Sequence, residues 1–127
     1  MTTFAETLSA HLAAMQARDF PAFLATLTDD AELTLIMPNG SFIGRRAEVA
    51  ATLGQWFADP DWSIAFEPVR TLETAEMAMA LLLVTYDDLD PSGQPYRLRY
   101  YLQLLFARQS GQWRLVHDQN TLLPAAG

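Results

Sequence analysis

The 127-residue chain contains no cysteine, which excludes a disulfide framework and any metal site built on thiolates. It has two histidines, His11 and His117, far apart in sequence, so a zinc site built on histidines is not expected. Basic residues are scarce, 8 against 15 acids for a net charge of −7. That balance argues against a nucleic-acid partner, whose phosphates call for a basic face. Long apolar runs are missing as well. The longest, Met77 to Val84, is far too short to span a bilayer, and no membrane partner is expected. The opening MTTFAETLSAHL lacks a basic segment leading into an uninterrupted apolar one, and does not read as a signal peptide. The expectations that follow are a cytoplasmic protein with no metal and no cofactor.

What is present suits one domain over residues 1–127. Half of the residues are apolar, enough for a packed interior and too many for disorder. Thr3 and Glu6 have the spacing of a capping box, and Phe4, Leu8, Leu12 and Met15 follow at helical intervals. These predict a helix from about Thr3 to Ala17. Asp19 is placed to cap a second, short helix with Pro21 in its first turn. Strand-like ELTLIM (Glu32 to Met37) precedes the turn Pro38-Asn39-Gly40, and a third helix is predicted from about Arg45 to Ala58. From Asp61 onward the pattern changes to strands: Trp62 to Phe66, Met77 to Asp87, Tyr96 to Arg108 and Gln112 to Leu122. Turn residues separate them at Glu73 to Glu76, Pro91 to Gln94 and Gln109 to Gln112. Helices first and an antiparallel meander after them make an α+β fold.

Centring a two-residue turn in each hairpin sets a register. Phe106 then faces Leu115, Leu104 faces His117 and Leu102 faces Gln119; Leu83 faces Leu102, and Ile64 faces Thr85. One sheet face gathers Trp62, Ile64, Phe66, Leu83, Tyr100, Leu102, Leu104, Trp113 and Leu115, with Thr85, Asp87, His117, Gln119 and Thr121 at one end. This face is the expected seat of the helices. Leu82, Val84, Tyr86, Tyr101, Leu105 and Asp118 go to the other face, whose apolar part reads as a subunit interface. A β-bulge in any strand would reverse these assignments beyond it.

The polar end of the helix-covered face is the candidate site. His117 in an apolar pocket suits general acid–base catalysis, and Asp87 is a second candidate base. Tyr100 and Gln119 would orient a ligand, with Thr121, Thr85, Trp62 and Phe66 around it. Against this, a buried His holding a neighbour, an acidic solvated loop at YDDLDPSGQP and aromatic residues in the core are the plainer readings. Asp118, on the outer face in this register, reads as a structural partner of Arg99 or Arg114.

Asp29-Asp30-Ala31 before the first strand, Gly40-Ser41-Phe42-Ile43-Gly44-Arg45 before the third helix and Gly111-Gln112-Trp113-Arg114-Leu115-Val116-His117 in the last strand resemble the nuclear transport factor 2-like superfamily, and within it the SnoaL-like branch. The ending His117-Asp118-Gln119-Asn120-Thr121 also resembles that of kinase association domains. The resemblance implies a cone: a curved antiparallel sheet wrapped around three N-terminal helices, a pocket at its wide end, and a homodimer. Members of this superfamily include isomerases, cyclases, dehydratases, an epoxide hydrolase and noncatalytic assembly domains, so fold does not fix function. Two readings stay open. One is a small-molecule pocket for an apolar oxygenated ligand, with cofactor-independent acid–base chemistry. The other is a noncatalytic binding or dimerisation domain.

Overall fold

The computed structural model describes residues 2–125. Helix α1 (Phe4–Ala17) starts at the expected capping box: Thr3 Oγ1 accepts from the Glu6 N–H at 3.1 Å, and the Thr3 N–H donates to Glu6 Oε1 at 3.2 Å. Its buried face carries Phe4, Thr7, His11, Ala14 and Met15, and it stops where Arg18 turns left-handed at φ 55°. Asp19 caps α2 (Phe20–Leu24) through the Ala22 N–H. Two short strands, β1 (Glu32–Ile36) and β2 (Phe42–Arg45), lead into α3 (Arg46–Ala58). The meander then runs through β3 (Ser63–Glu73), β4 (Met77–Leu89), β5 (Pro95–Gln109) and β6 (Gln112–Leu122).

The strands form one curved sheet in the order β2-β1-β6-β5-β4-β3. Every pairing is antiparallel except β1 with β6, where Thr34 lies beside His117 and Ile36 beside Gln119 in parallel. The helices cover one face. Leu82 and Val84 of β4, Leu102, Leu104 and Phe106 of β5, and Trp113 and Leu115 of β6 meet Phe4, Phe23 and Phe57 there, all nearly inaccessible. Each such side chain contributes roughly 1.5–3 kcal/mol of burial.

The register departs from the sequence expectation at each of the three hairpins, and the causes are local. The β4–β5 connection closes with the Asp90 N–H on the Gln94 carbonyl at 2.9 Å, Gly93 taking φ 86°. This loop is centred on Ser92, a residue, instead of on the Ser92–Gly93 bond. Leu82 therefore faces Leu102, and Val84 faces Tyr100. Even-numbered β4 residues turn inward, and Ala78, Ala80, Leu82, Val84, Tyr86 and Asp88 are the buried ones. In β3 an irregularity between Pro68 and Arg70 brings Ile64 opposite Tyr86. Proline has no N–H to give the ladder, and a bulge is where a strand tolerates it.

A further departure lies in β6. The Ser110-Gly111 turn, with φ 52° and 76°, pairs Phe106 with Leu115 as expected. The register then shifts: the next pair is Leu105 with His117, leaving Val116 as the extra residue. Beyond it Leu104 faces Asp118 and Leu102 faces Asn120. Asp118 is 8% exposed on the helix-covered side. The alternation of the strand puts His117, Gln119 and Thr121 on the outer face. The expected inward row of His117, Gln119 and Thr121, and the outward placement of Asp118, are thus reversed.

Candidate functional site

Between the helices and the concave sheet face lies a cavity of about 420 Å³, a size suited to a small organic ligand. Its walls are mostly apolar: Met15, Phe23, Leu53, Trp56, Ile64 and Leu98 contribute, with Met37 and Pro38 from the β1–β2 turn. Asn39 and Thr52 also lie on the wall, and polar side chains bonded to one another enter at two places.

The first is Asp118. Its carboxylate accepts from Asn120 Nδ2 at 3.1 Å, and the same amide donates to the Ile36 carbonyl at 2.7 Å, tying the pair to β1. Burial pushes Asp118 up from 3.8 to about 7, and the Asn120 hydrogen bond only partly opposes it. Tyr100, 6% exposed, lines the same region; burial first and the Asp118 charge second raise its phenol above the ordinary range, so it stays a protonated donor. A carboxyl group poised near neutrality beside a neutral phenol is equipped to accept a proton and steady a developing oxyanion.

The second is the Tyr86–Asp88 pair on β4. The Tyr86 hydroxyl donates to Asp88 Oδ2 at 2.5 Å and accepts the Trp56 indole N–H at 3.0 Å. Tyr96 reaches the same oxygen at 3.4 Å. Burial, then the Asp88 hydrogen bond, raises Tyr86.

The expected site residues do not converge. Tyr100 lines the cavity. His117 sits on the outer face with Nε2 3.0 Å from Gln119 Oε1, and Thr121 beyond them is exposed. Asp87 is outward too, in a two-bond ion pair with Arg97 at 2.8 and 3.2 Å that holds its carboxyl below the usual range. Thr85 lies half-buried on that outer face of β4. Trp62 is buried behind the cavity wall: its indole stacks on Trp56 at 4.0 Å and donates to the Trp56 carbonyl at 2.7 Å, while the Arg18 guanidinium covers it. Phe66 is half-buried against the core. The residues missed, Asp118, Asn120, Tyr86 and Tyr96, were on the page as a polar pair after an apolar strand and as the tyrosines flanking an acidic turn. The inward aim of Asp118 and Asn120 depends on the bulge and that of Tyr86 on the odd loop, whereas Tyr96 shares the inward β5 face of Tyr100.

His11, at the edge of the helical stripe, is wholly buried. Thr26 Oγ1 donates to the Phe23 carbonyl and so accepts from His11 Nδ1 at 2.7 Å. Nε2 then carries the lone pair and has no partner among the described residues. Burial lowers this histidine from 6.5 to about 3. Among the described residues no three His, Asp or Glu side chains converge as a metal-ligand set, and no helix is long and apolar enough to cross a membrane.

The SnoaL-like domain profile matches residues 8–116. The chain belongs to the SnoaL-like domain family. This bears out the resemblance read from the sequence, and solved structures agree on the fold. A candidate calcium/calmodulin-dependent protein kinase type II association domain from Thiobacillus denitrificans superposes with a TM-score of 0.81 at 20% identity, covering 98% of each chain. A ketosteroid isomerase-like protein from Erwinia carotovora atroseptica gives 0.77 at 19%, covering 93% of this SnoaL-like chain and 92% of its own. The association domain of the C. elegans calcium/calmodulin-dependent kinase II gives 0.65 at 15%, covering 92% and 91%. No curated protein matches the chain.

Proposed function

We propose that this SnoaL-like chain binds an apolar, oxygenated small molecule in its cavity and moves a proton on it without a cofactor. The observation that carries the reading is Asp118: buried, on the cavity wall, held near neutrality and accompanied by the Tyr100 phenol. In its ionised form Asp118 takes a proton from a carbon next to a carbonyl. The C–H electron pair becomes a carbon–carbon double bond, the carbonyl π pair moves onto the oxygen, and the Tyr100 hydroxyl donates to that oxygen. Returning the proton from Asp118 to another carbon of the same conjugated system completes an isomerisation; handing it instead to a β-hydroxyl, which leaves the enolate as water, completes a dehydration. No outside oxidant or reductant is needed. The ketosteroid isomerase-like neighbour is compatible with this chemistry.

The test is isotopic. Ketones of steroid-like, polyketide-like and terpenoid shape are screened by thermal shift, and each hit is incubated with the protein in D₂O. Wild type should introduce deuterium at the carbon next to the carbonyl, while Asp118→Asn binds the hit and leaves it unlabelled. Equal labelling by both proteins contradicts the reading. So does a ketone set in which nothing binds.

A second reading concerns the outer face. Met79, Leu81, Leu83 and Leu105 are only half-buried there, and Tyr101 is 37% exposed. Such a patch supports a homodimer through this side of the sheet, and the names of the association-domain neighbours point to assembly. Sedimentation should give a dimer for wild type and a monomer for Leu83→Arg. A wild-type monomer at tens of micromolar would remove this reading. Dimerisation combined with no isotope exchange would make the chain an assembly domain and not an enzyme.

A further inference from the structure

The second polar end of the cavity has no part in the proton transfer. Tyr86 and Tyr96 both line it. A carboxylate only accepts hydrogen bonds, so the Tyr86 and Tyr96 hydroxyls both direct their protons at Asp88 Oδ2, at 2.5 and 3.4 Å. Asp88 is itself held: it is 9% exposed, and its Oδ1 accepts the Leu89 N–H at 2.7 Å. The one donor of the Trp56 ring is taken by the Tyr86 oxygen at 3.0 Å. What Tyr86 and Tyr96 offer the cavity is therefore hydroxyl lone pairs, beside the Trp56 ring. Charge reinforces the pattern. Asp59, Asp88 and Asp90 all act on Tyr96 in the same electrostatic sense. The chain has no lysine, and among the described residues no arginine lines the cavity.

We propose that Tyr86 and Tyr96, oriented by Asp88, form a recognition pole for a hydrogen-bond donor on the ligand, a hydroxyl or a protonated amine, and that this pole rejects carboxylate and phosphate groups. The inference rests on the reading of the cavity as a small-molecule site and adds the class of molecule. Tyr96 and Tyr100 lie four positions apart on the same face of β5, roughly 13 Å along the strand. The ligand is then elongated, with its reactive carbonyl end toward Asp118 and its donor end toward Tyr86. An ammonium head gains further from the Trp56 and Tyr86 ring faces.

Three probes of one skeleton test this by calorimetry: 2-naphthol, 2-naphthylmethylamine and 2-naphthoate. Wild type should bind the first two and take naphthoate at least about tenfold more weakly, a gap of ~1.4 kcal/mol. Asp88→Asn releases the tyrosine protons toward the cavity, and the gap should close to about threefold or less. In Asp118→Asn the gap should persist. If Asp88→Asn does not fold, Tyr96→Phe replaces it, since Tyr96 is 39% exposed; naphthol should weaken while naphthoate stays unchanged. Naphthoate binding as tightly as naphthol overturns the donor pole and leaves the cavity reading intact. A gap that survives Asp88→Asn and vanishes in Asp118→Asn also overturns it. No binding by any of the three removes both proposals together.

Discussion

Asp87 and Asp118 carry the same side chain into opposite settings. Asp87 stands on the outer face, open to water, gripped by the Arg97 guanidinium through two bonds and held below the usual carboxylate range. Asp118 stands on the inner face, 8% exposed, with one amide donor and a neighbouring phenol, and is pushed up to about 7. One is stable as an anion and gains nothing by taking a proton. The other is balanced between its two forms at neutral pH. A cation with a solvent path makes a structural group, and a buried wall with a single neutral donor makes a candidate catalyst.

The severest way to break this contrast is Asp118→Asn. Proton transfer should fall by about 10²–10⁴-fold. Three pKa units of buried-charge penalty disappear at the same time, so at pH 8 this variant should be more stable than wild type by up to about 4 kcal/mol in urea unfolding.

The pH dependence sharpens the comparison by setting Asp118 against His11. Between 3.8 and about 7 the folded chain keeps a proton on Asp118 that the unfolded chain has released, so stability from this group falls as pH rises. Between about 3 and 6.5 the unfolded chain binds a proton on His11 that the fold refuses, so stability from that group falls as pH drops. The two slopes oppose each other over the shared window of 3.8 to 6.5. Removing either partner should expose the other at ~1.4 kcal/mol per pH unit. Asp118→Asn should gain stability with rising pH there, and His11→Leu should lose it. His11→Leu orphans no donor, because the Thr26 hydroxyl still reaches the Phe23 carbonyl. Parallel curves for the two variants would contradict the assigned environments. The smallest effect belongs to Asp87→Asn, which removes an exposed ion pair and should leave both activity and thermal midpoint unchanged within error.

Much of the fold was legible because its signals are local. The Thr3–Glu6 box, the Asp19 cap and the Ser110-Gly111 turn each act within a few residues, and the structure has all three. The site was less legible because it depends on parity accumulated along three hairpins. Leu81 and Leu83 are as apolar as Leu82 and Val84, so β4 does not declare which face goes inside. The Asp90–Gln94 loop settles it through an odd-residue geometry that its composition does not announce. In β6, Leu115 and Val116 are adjacent apolar residues, and either could end the inward row; the bulge chooses Leu115 and then Asp118. Tyr100 came out on the expected face because β5 and the start of β6 carry no shift before Phe106.

The most direct test is a ¹³C NMR titration of the Asp118 side-chain carboxyl in the intact protein. A midpoint of about 7 is predicted, several units above the Asp87 midpoint in the same spectrum. A midpoint for Asp118 in the ordinary range near 3.8 would mean that this carboxyl is wetted or outward-facing, and the account of the site would be contradicted.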